Sequence, residues 1–128
     1  MVARVQNNGL ANITAGWNAY TSRPLYLQWG TGSAAAASAN VVTTTTTTES
    51  RTTGTSSQVT TTQTNDTYQV TGTITAAGAR AITEVGVFDA AGTGSPPTGG
   101  NMDIYGDFSV INLATSDSIA FTVKVAFV

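Results

Sequence analysis

The sequence predicts an all-β protein: an antiparallel β-sandwich of jelly-roll-like form, a single domain with an N-terminal arm or short helix. Three observations carry this. The C-terminal segment alternates, with Ile119, Phe121, Val123, Val125 and Phe127 on one side and Ala120, Thr122, Lys124 and Ala126 on the other. Successive side chains of a strand point to opposite faces, so alternation this long marks a half-buried strand. About seven segments of strand character follow one another with turn signals every ~8–12 residues, and no helical pattern alternates with them. Finally, 25 of the 128 residues are Thr, whose branched Cβ favours extended backbone.

Taken in order, residues 1–24 are the least periodic. Leu10, Ile13 and Trp17 have helical spacing, Gly9 and Gly16 weaken it, and the segment reads equally as an extended arm. Pro24 marks the boundary of a β-sandwich domain over 25–128. Leu25–Trp29 is a strand ended by Gly30-Thr31-Gly32, and Ser33–Asn40 is an Ala/Ser loop or helical turn. Val41–Arg51 holds six consecutive Thr, Thr43–Thr48, and reads as extended until Gly54 breaks the run. Ser57–Thr64 resumes it with Val59 as its apolar anchor, and Asn65-Asp66 is a turn. Tyr68–Ala76 alternates Tyr68, Val70, Gly72 and Ile74 against Gln69, Thr71, Thr73 and Thr75. Ala81–Phe88 is apolar on both faces, which places it centrally in a sheet. Asp89–Asn101 is a long Gly/Pro/Ser loop, Met102–Phe108 a strand, and Ser109–Asp117 a connection with Val110, Ile111 and Leu113 tucked inward. The expected core is Leu25, Leu27, Trp29, Val70, Ile74, Ile82, Val85, Val87, Phe88, Ile104, Phe108, Ile119, Phe121, Val123 and Val125.

Composition bounds the chemistry. Leu, Ile, Val and Phe supply 26 of 128 residues, close to the ~20% below which chains tend to disorder. A net charge of −2 argues against disorder, so a folded protein with a modest core is expected. Such cores are commonly supplemented by disulfides, metals or oligomerisation. The chain has no Cys and no His, which excludes disulfides, disfavours zinc and copper, and rules out a Ser-His triad. Oligomerisation remains. The five basic residues, Arg4, Arg23, Arg51, Arg80 and Lys124, form no stripe, so no nucleic-acid partner is expected. No apolar run approaches the ~20 residues of a membrane span. Met1–Gly9 lacks the apolar run of a signal peptide, so synthesis in a cytoplasm is expected.

Candidate chemistry is sparse. The acids Glu84, Asp89, Asp103, Asp107 and Asp117 could supply a glycosidase pair or oxygen ligands for calcium. Asp89 and Asp117 fall at turns, where Asp caps backbone amides, and no EF-hand spacing occurs. Glu84 lies inside an apolar strand and would need a partner, with Arg51, Arg80 and Arg4 available. Trp29, Tyr26, Tyr68 and Tyr105 could stack on sugars, but aromatics at strand spacing more often build core. No enzymatic activity, metal or cofactor is expected.

Three segments resemble a known family: Leu25-Tyr26-Leu27-Gln28-Trp29-Gly30-Thr31-Gly32; Ile82-Thr83-Glu84-Val85-Gly86-Val87-Phe88-Asp89; and Gly106-Asp107-Phe108 through Asn112-Leu113 to Asp117–Thr122. Together they resemble small virion proteins of tailed bacteriophages, especially capsid decoration (cement) proteins. Similar segments also occur in tail-fibre and collar proteins. The resemblance implies a β-rich homotrimer made in the host bacterial cytoplasm and docked on the outside of the virion capsid, bridging major capsid protein subunits. The alternative it leaves open is a tail- or head-fibre adhesion or carbohydrate-binding module, using Tyr26, Tyr105 and the 89–101 loop. The contact residues expected for decoration are Met1, Val2, Arg4, Gln6 and Asn8 on the arm, and Thr43, Thr45, Thr47, Glu49 and Arg51 on the Thr segment.

Overall fold

A computed structural model describes residues 1–42 and 47–127. One helix, α1 (Asn7–Ala19), precedes seven strands: β1 (Tyr26–Gly30), β2 (Thr52–Thr53), β3 (Thr55–Val59), β4 (Thr67–Thr75), β5 (Arg80–Phe88), β6 (Met102–Leu113) and β7 (Ser118–Ala126). The strands form a four-stranded sheet, β2-β1-β5-β6, and a three-stranded sheet, β3-β4-β7, with every pairing antiparallel. The expected all-β sandwich is therefore the fold. The terminal strand pairs along its whole length with β4, from Thr67↔Ala126 to Thr75↔Ser118. As its two-faced apolar pattern requires, β5 is central, between β1 and β6.

The core forms where the inward sides of the two sheets meet. Leu27 and Trp29 of β1 stand beside Val87 and Val85 of β5, and they pack with Tyr68, Val70, Ile74, Ala76, Ile82 and Phe121. Ile104, Phe108, Leu113, Ile119 and Val123 pack against this cluster while staying partly open to water. Full burial of one such side chain is worth roughly 1.5–3 kcal/mol, so the tightly buried residues carry most of the stabilisation. Tyr68 joins the core because its hydroxyl donates to the Pro24 carbonyl, which satisfies the one polar atom of the ring.

Helix α1 closes one end of the sandwich, which settles the helix-or-arm alternative: residues 7–19 are helical and residues 1–6 are not. Its buried positions are Leu10 and Thr14. Trp17, one turn further on, places its ring 5.0 Å from Tyr68 and 5.8 Å from Phe127. Ile13 faces solvent, because Thr14 takes the inward position. The Thr14 hydroxyl accepts from Gln58 Nε2 and lies within bonding distance of the Asn65 carbonyl, which joins the helix to the β3–β4 hairpin.

Three other expectations change. Ser109–Leu113 is strand and not connection, because β6 runs on to pair Ile111 with Ile82 and Leu113 with Arg80. Val110 and Ile111 are consequently exposed, at 52% and 39%, rather than tucked inward. Phe88 is buried, but on the opposite side of the four-stranded sheet from the core, beneath the covering loops described below. The extended run expected over Val41–Arg51 contributes no strand among its described residues, and Thr43–Thr46 lie outside the described residues.

The chain passes from one sheet to the other between β2 and β3, across the single residue Gly54. A Cβ there would lie 2.7 Å from Val70 Cγ1, 2.8 Å from Leu27 Cδ1 and 2.8 Å from the Thr71 carbonyl oxygen. The crossing strand is thus pressed against the core with no room for a side chain. Replacing Gly54 with Ala is expected to destabilise the fold by about 1–3 kcal/mol, the usual cost of overpacking. Urea unfolding measures this as a lower midpoint at unchanged slope; a midpoint equal to that of the parent would contradict the packing described.

Candidate functional site

The outer side of the four-stranded sheet is not a surface. Residues of two segments, the described part of 31–51 and residues 89–101, lie across it. Arg51 holds them together: it is 7% exposed; its guanidinium carbon sits 3.6 Å from the Phe88 ring centroid. Its Nε donates to Gln28 Oε1, and its Nη1 to the carbonyls of Ala90 and Gly99. Gln28 in turn donates to the Pro97 carbonyl. Burial lowers the Arg51 pKa and the charge of Asp89 opposes that shift; the two Nη1 bonds to the Ala90 and Gly99 carbonyls pin the 89–101 loop. Asp89 turns the same loop: its Oδ1 accepts from the Asn101 N–H at 2.7 Å and its Oδ2 from the Asn101 amide, bonds that hold its carboxyl below the ordinary value.

Glu84 is fully buried on this side. It accepts from the Tyr105 hydroxyl at 2.7 Å and from the Gly32 N–H at 3.2 Å. The arginines expected as its partners are engaged elsewhere: Arg80 bridges Glu49 at 3.0 Å, and Arg51 holds the loop. Glu84 therefore anchors the start of the 31–51 segment to the sheet by hydrogen bonds. Asp107 stands opposite Glu84 in register and accepts from the Ala34 N–H at 2.9 Å, adding a second tie. Tyr105 and Tyr26 are half-buried in β6 and β1, so neither stands out as a stacking platform.

The contact residues expected on the Thr segment divide. Thr43 and Thr45 lie outside the described residues. Thr47 is buried, with its hydroxyl donating to the Trp29 carbonyl. Glu49 accepts from the Trp29 indole, the Ala77 N–H and the Arg80 guanidinium. Burial pushes its carboxyl up, but those donors outweigh burial and hold it below the ordinary value. Thr47, Glu49 and Arg51, expected as contact residues, thus face the protein itself and make hydrogen bonds within it. On the arm, Met1, Val2, Arg4 and Gln6 are exposed and belong to no helix or strand, whereas Asn8 is in the first turn of α1. Val2 is 98% exposed and Val5 54%, an unusual display of apolar surface on so short a segment.

A surface that composition alone did not single out is the outer side of the three-stranded sheet. Cross-strand partners bring hydroxyls into rows: Thr55 beside Thr71 and Thr122, Ser57 beside Gln69 and Lys124, Thr75 beside Ser118. The Thr75 and Ser118 hydroxyls share a hydrogen bond of 2.7 Å. Lys124 is the one charge on the β7 side of this face. The sequence signal of this face is the period-2 spacing of Thr71, Thr73 and Thr75.

Other chemistry is sparse among the described residues. No group of three or more His, Cys, Asp and Glu could hold a metal, and no helix is long and apolar enough to cross a membrane. A shallow groove of about 360 Å³ lies against Ala79, Arg80, Ala81, Asn112 and Leu113, where Arg80 is already committed to Glu49. Asp117 caps its turn by accepting from the Ala114 N–H, as its position in the sequence suggested. No family model, curated protein or solved structure matches the chain.

The turn before β4 is built on Asp66, which is inaccessible to solvent. The N–H groups of Gln63, Thr61 and Thr62 and the Thr67 hydroxyl donate to its carboxylate and hold its pKa far below the ordinary value. A carboxyl whose pKa is depressed by folding stabilises the protein above its unfolded pKa of about 3.9, and that contribution is lost as pH falls through the folded value. Asp66→Asn is expected to have a lower Tm than the parent at pH 7, with the difference narrowing steadily below about pH 4. Thermal melts from pH 7 to pH 2 check this, and a difference independent of pH would contradict it.

Proposed function

We propose that this protein is a structural component of a tailed-phage virion: a capsid decoration protein that assembles as a homotrimer and stabilises the mature head by bridging major capsid subunits. Three features support the reading. The segments that resemble such proteins form β1, β5, and β6 with β7, the frame of the sandwich. Most of the acids and aromatics that could do chemistry, Glu84, Asp89, Asp107, Asp117, Trp29, Tyr68 and Tyr105, make structural hydrogen bonds. The observation that carries the reading is the arm, residues 1–6, which leaves the helix with Met1 and Val2 exposed and makes little use of the sandwich. An apolar arm on a compact body is suited to insertion between the subunits of a larger lattice.

The mechanism requires no reaction. A ligand that binds only the assembled shell stabilises it by RT ln(1 + [L]/Kd). A body that touches several subunits at once gains further from effective concentration.

Co-sedimentation with empty, expanded phage heads tests the reading. The parent protein is expected to pellet with heads and to raise their disruption temperature. A variant lacking residues 2–6 is expected to lose at least ~10-fold in apparent affinity, as several apolar contacts are removed. Binding to host cells or glycans, with none to heads, would overturn the reading in favour of a fibre module.

A further inference from the structure

The sandwich is closed at one end by α1 and open along one flank. That flank is bounded by β6, the edge of the four-stranded sheet, and β7, the edge of the three-stranded sheet. Both strands are long, 12 and nine residues. Each has an outward row of backbone donors and acceptors that no strand of the chain pairs with among the described residues. The side chains at the mouth of the flank are apolar and incompletely covered: Phe108, Ile119 and Val123 pack on the core but remain partly open to water, and Val110 and Ile111 are exposed outright. Long exposed edges invite pairing, and proteins ordinarily blunt or cover them.

We propose that this flank is the interface between copies of this chain, with the β6 edge of one copy meeting the β7 edge of the next in a closed ring. The inference deepens the decoration reading, on whose homotrimer it rests, by naming the surface that joins the subunits. A second copy is the occupant because the two edges are complementary to each other and not to themselves. β6 has Asp103 and Asp107 and no basic residue, whereas β7 has Lys124 and no acidic residue. Like edges meeting across a two-fold axis would oppose like charges. Unlike edges bring the acids of one copy toward the lysine of the next, and a head-to-tail contact that closes forms a ring. Asp103 and Asp107 are exposed on the edge strand β6 and Lys124 on the edge strand β7, so the charges stand at the two edges that would meet.

At ~3.4 Å per residue and a sheet spacing of ~10 Å, the flank is a strip roughly 30–40 Å long and about 15–20 Å wide with its two edges. That is on the order of 600 Å² per copy, divided between two neighbours, so each contact is smaller than the ~800 Å² per partner of a standard two-body interface and ring closure, in which every copy makes two contacts, has to supply the rest.

Sedimentation velocity or mass photometry of the isolated protein tests this. The parent is expected to form a closed cyclic oligomer. Val110→Lys and Ile111→Lys place a charge on an exposed site and so spare the fold, checked by an unchanged circular dichroism spectrum. Each is expected to weaken association by roughly 100-fold or more. Lys124→Glu is expected to weaken it too, and adding Asp103→Lys to restore part of the loss. A monomeric parent, an oligomer indifferent to Val110→Lys and Ile111→Lys, or a two-fold dimer would each overturn the proposal. Head binding by an oligomer indifferent to these substitutions would leave the decoration reading standing and reject this interface alone, head binding by a monomeric parent would keep capsid binding but reject both the homotrimer and the interface, and an oligomer sensitive to these substitutions that ignores heads would keep the interface and reject decoration.

Discussion

The two sheets meet where Leu27 enters space that two glycines leave open. A Cβ on Gly54 or on Gly72 would each come within 2.8 Å of Leu27 Cδ1. Gly54 lies at the passage from one sheet to the other, and Gly72 lies mid-strand in β4 opposite Phe121. Close approach at this point lets a chain with a limited apolar stock still bury Trp29, Tyr68, Val70 and Val87. Close packing of few residues replaces abundance, which is how interiors of crystal-like density gain most from each side chain.

The second economy is polar. The outer side of the four-stranded sheet is closed by two irregular segments, and what fixes them is Arg51, Glu84, Gln28 and Glu49 rather than aliphatic packing. Glu84, Gln28 and Glu49 bond to backbone groups or to another side chain, as do Arg51 Nε and Nη1, which lowers the desolvation penalty of polar atoms beneath a loop; among the described residues the buried Arg51 Nη2 has no hydrogen-bond partner. Such loops depend on a few bonds, so their order is expected to be more sensitive to pH and substitution than that of the sandwich itself.

Much of this was legible in the sequence where one physical rule dominated. β4 and β7 show their period because one face is buried and the side-chain repeat is two, whereas β5 is legible as a central strand because it is apolar on both faces. The full length of β6 is not legible in the sequence because Val110 and Ile111 are apolar yet exposed, and a register shift between Ile82 and Glu84 interrupts the pairing. Thr47, Glu49 and Arg51 look solvated as polar residues in a Thr-rich run; their inward orientation depends on partners such as Trp29 and Ala90 that are distant in sequence. Strand spacing marks Tyr68 as an aromatic of the core, but its link to the helix and to Pro24 depends on neighbours in three dimensions. In each case the missing information was long-range.

The surfaces left over are therefore few: an apolar arm, a hydroxyl-rich sheet face and one open flank. They suit a protein whose work is association, and the flank is the place where the sandwich itself is unfinished. Amide hydrogen exchange at low and high protein concentration measures this most directly. The account predicts that backbone amides of residues 102–113 and 118–126 slow markedly as concentration rises, while those of β1 and β4 hardly change. Exchange along both edge strands that is independent of concentration would contradict it.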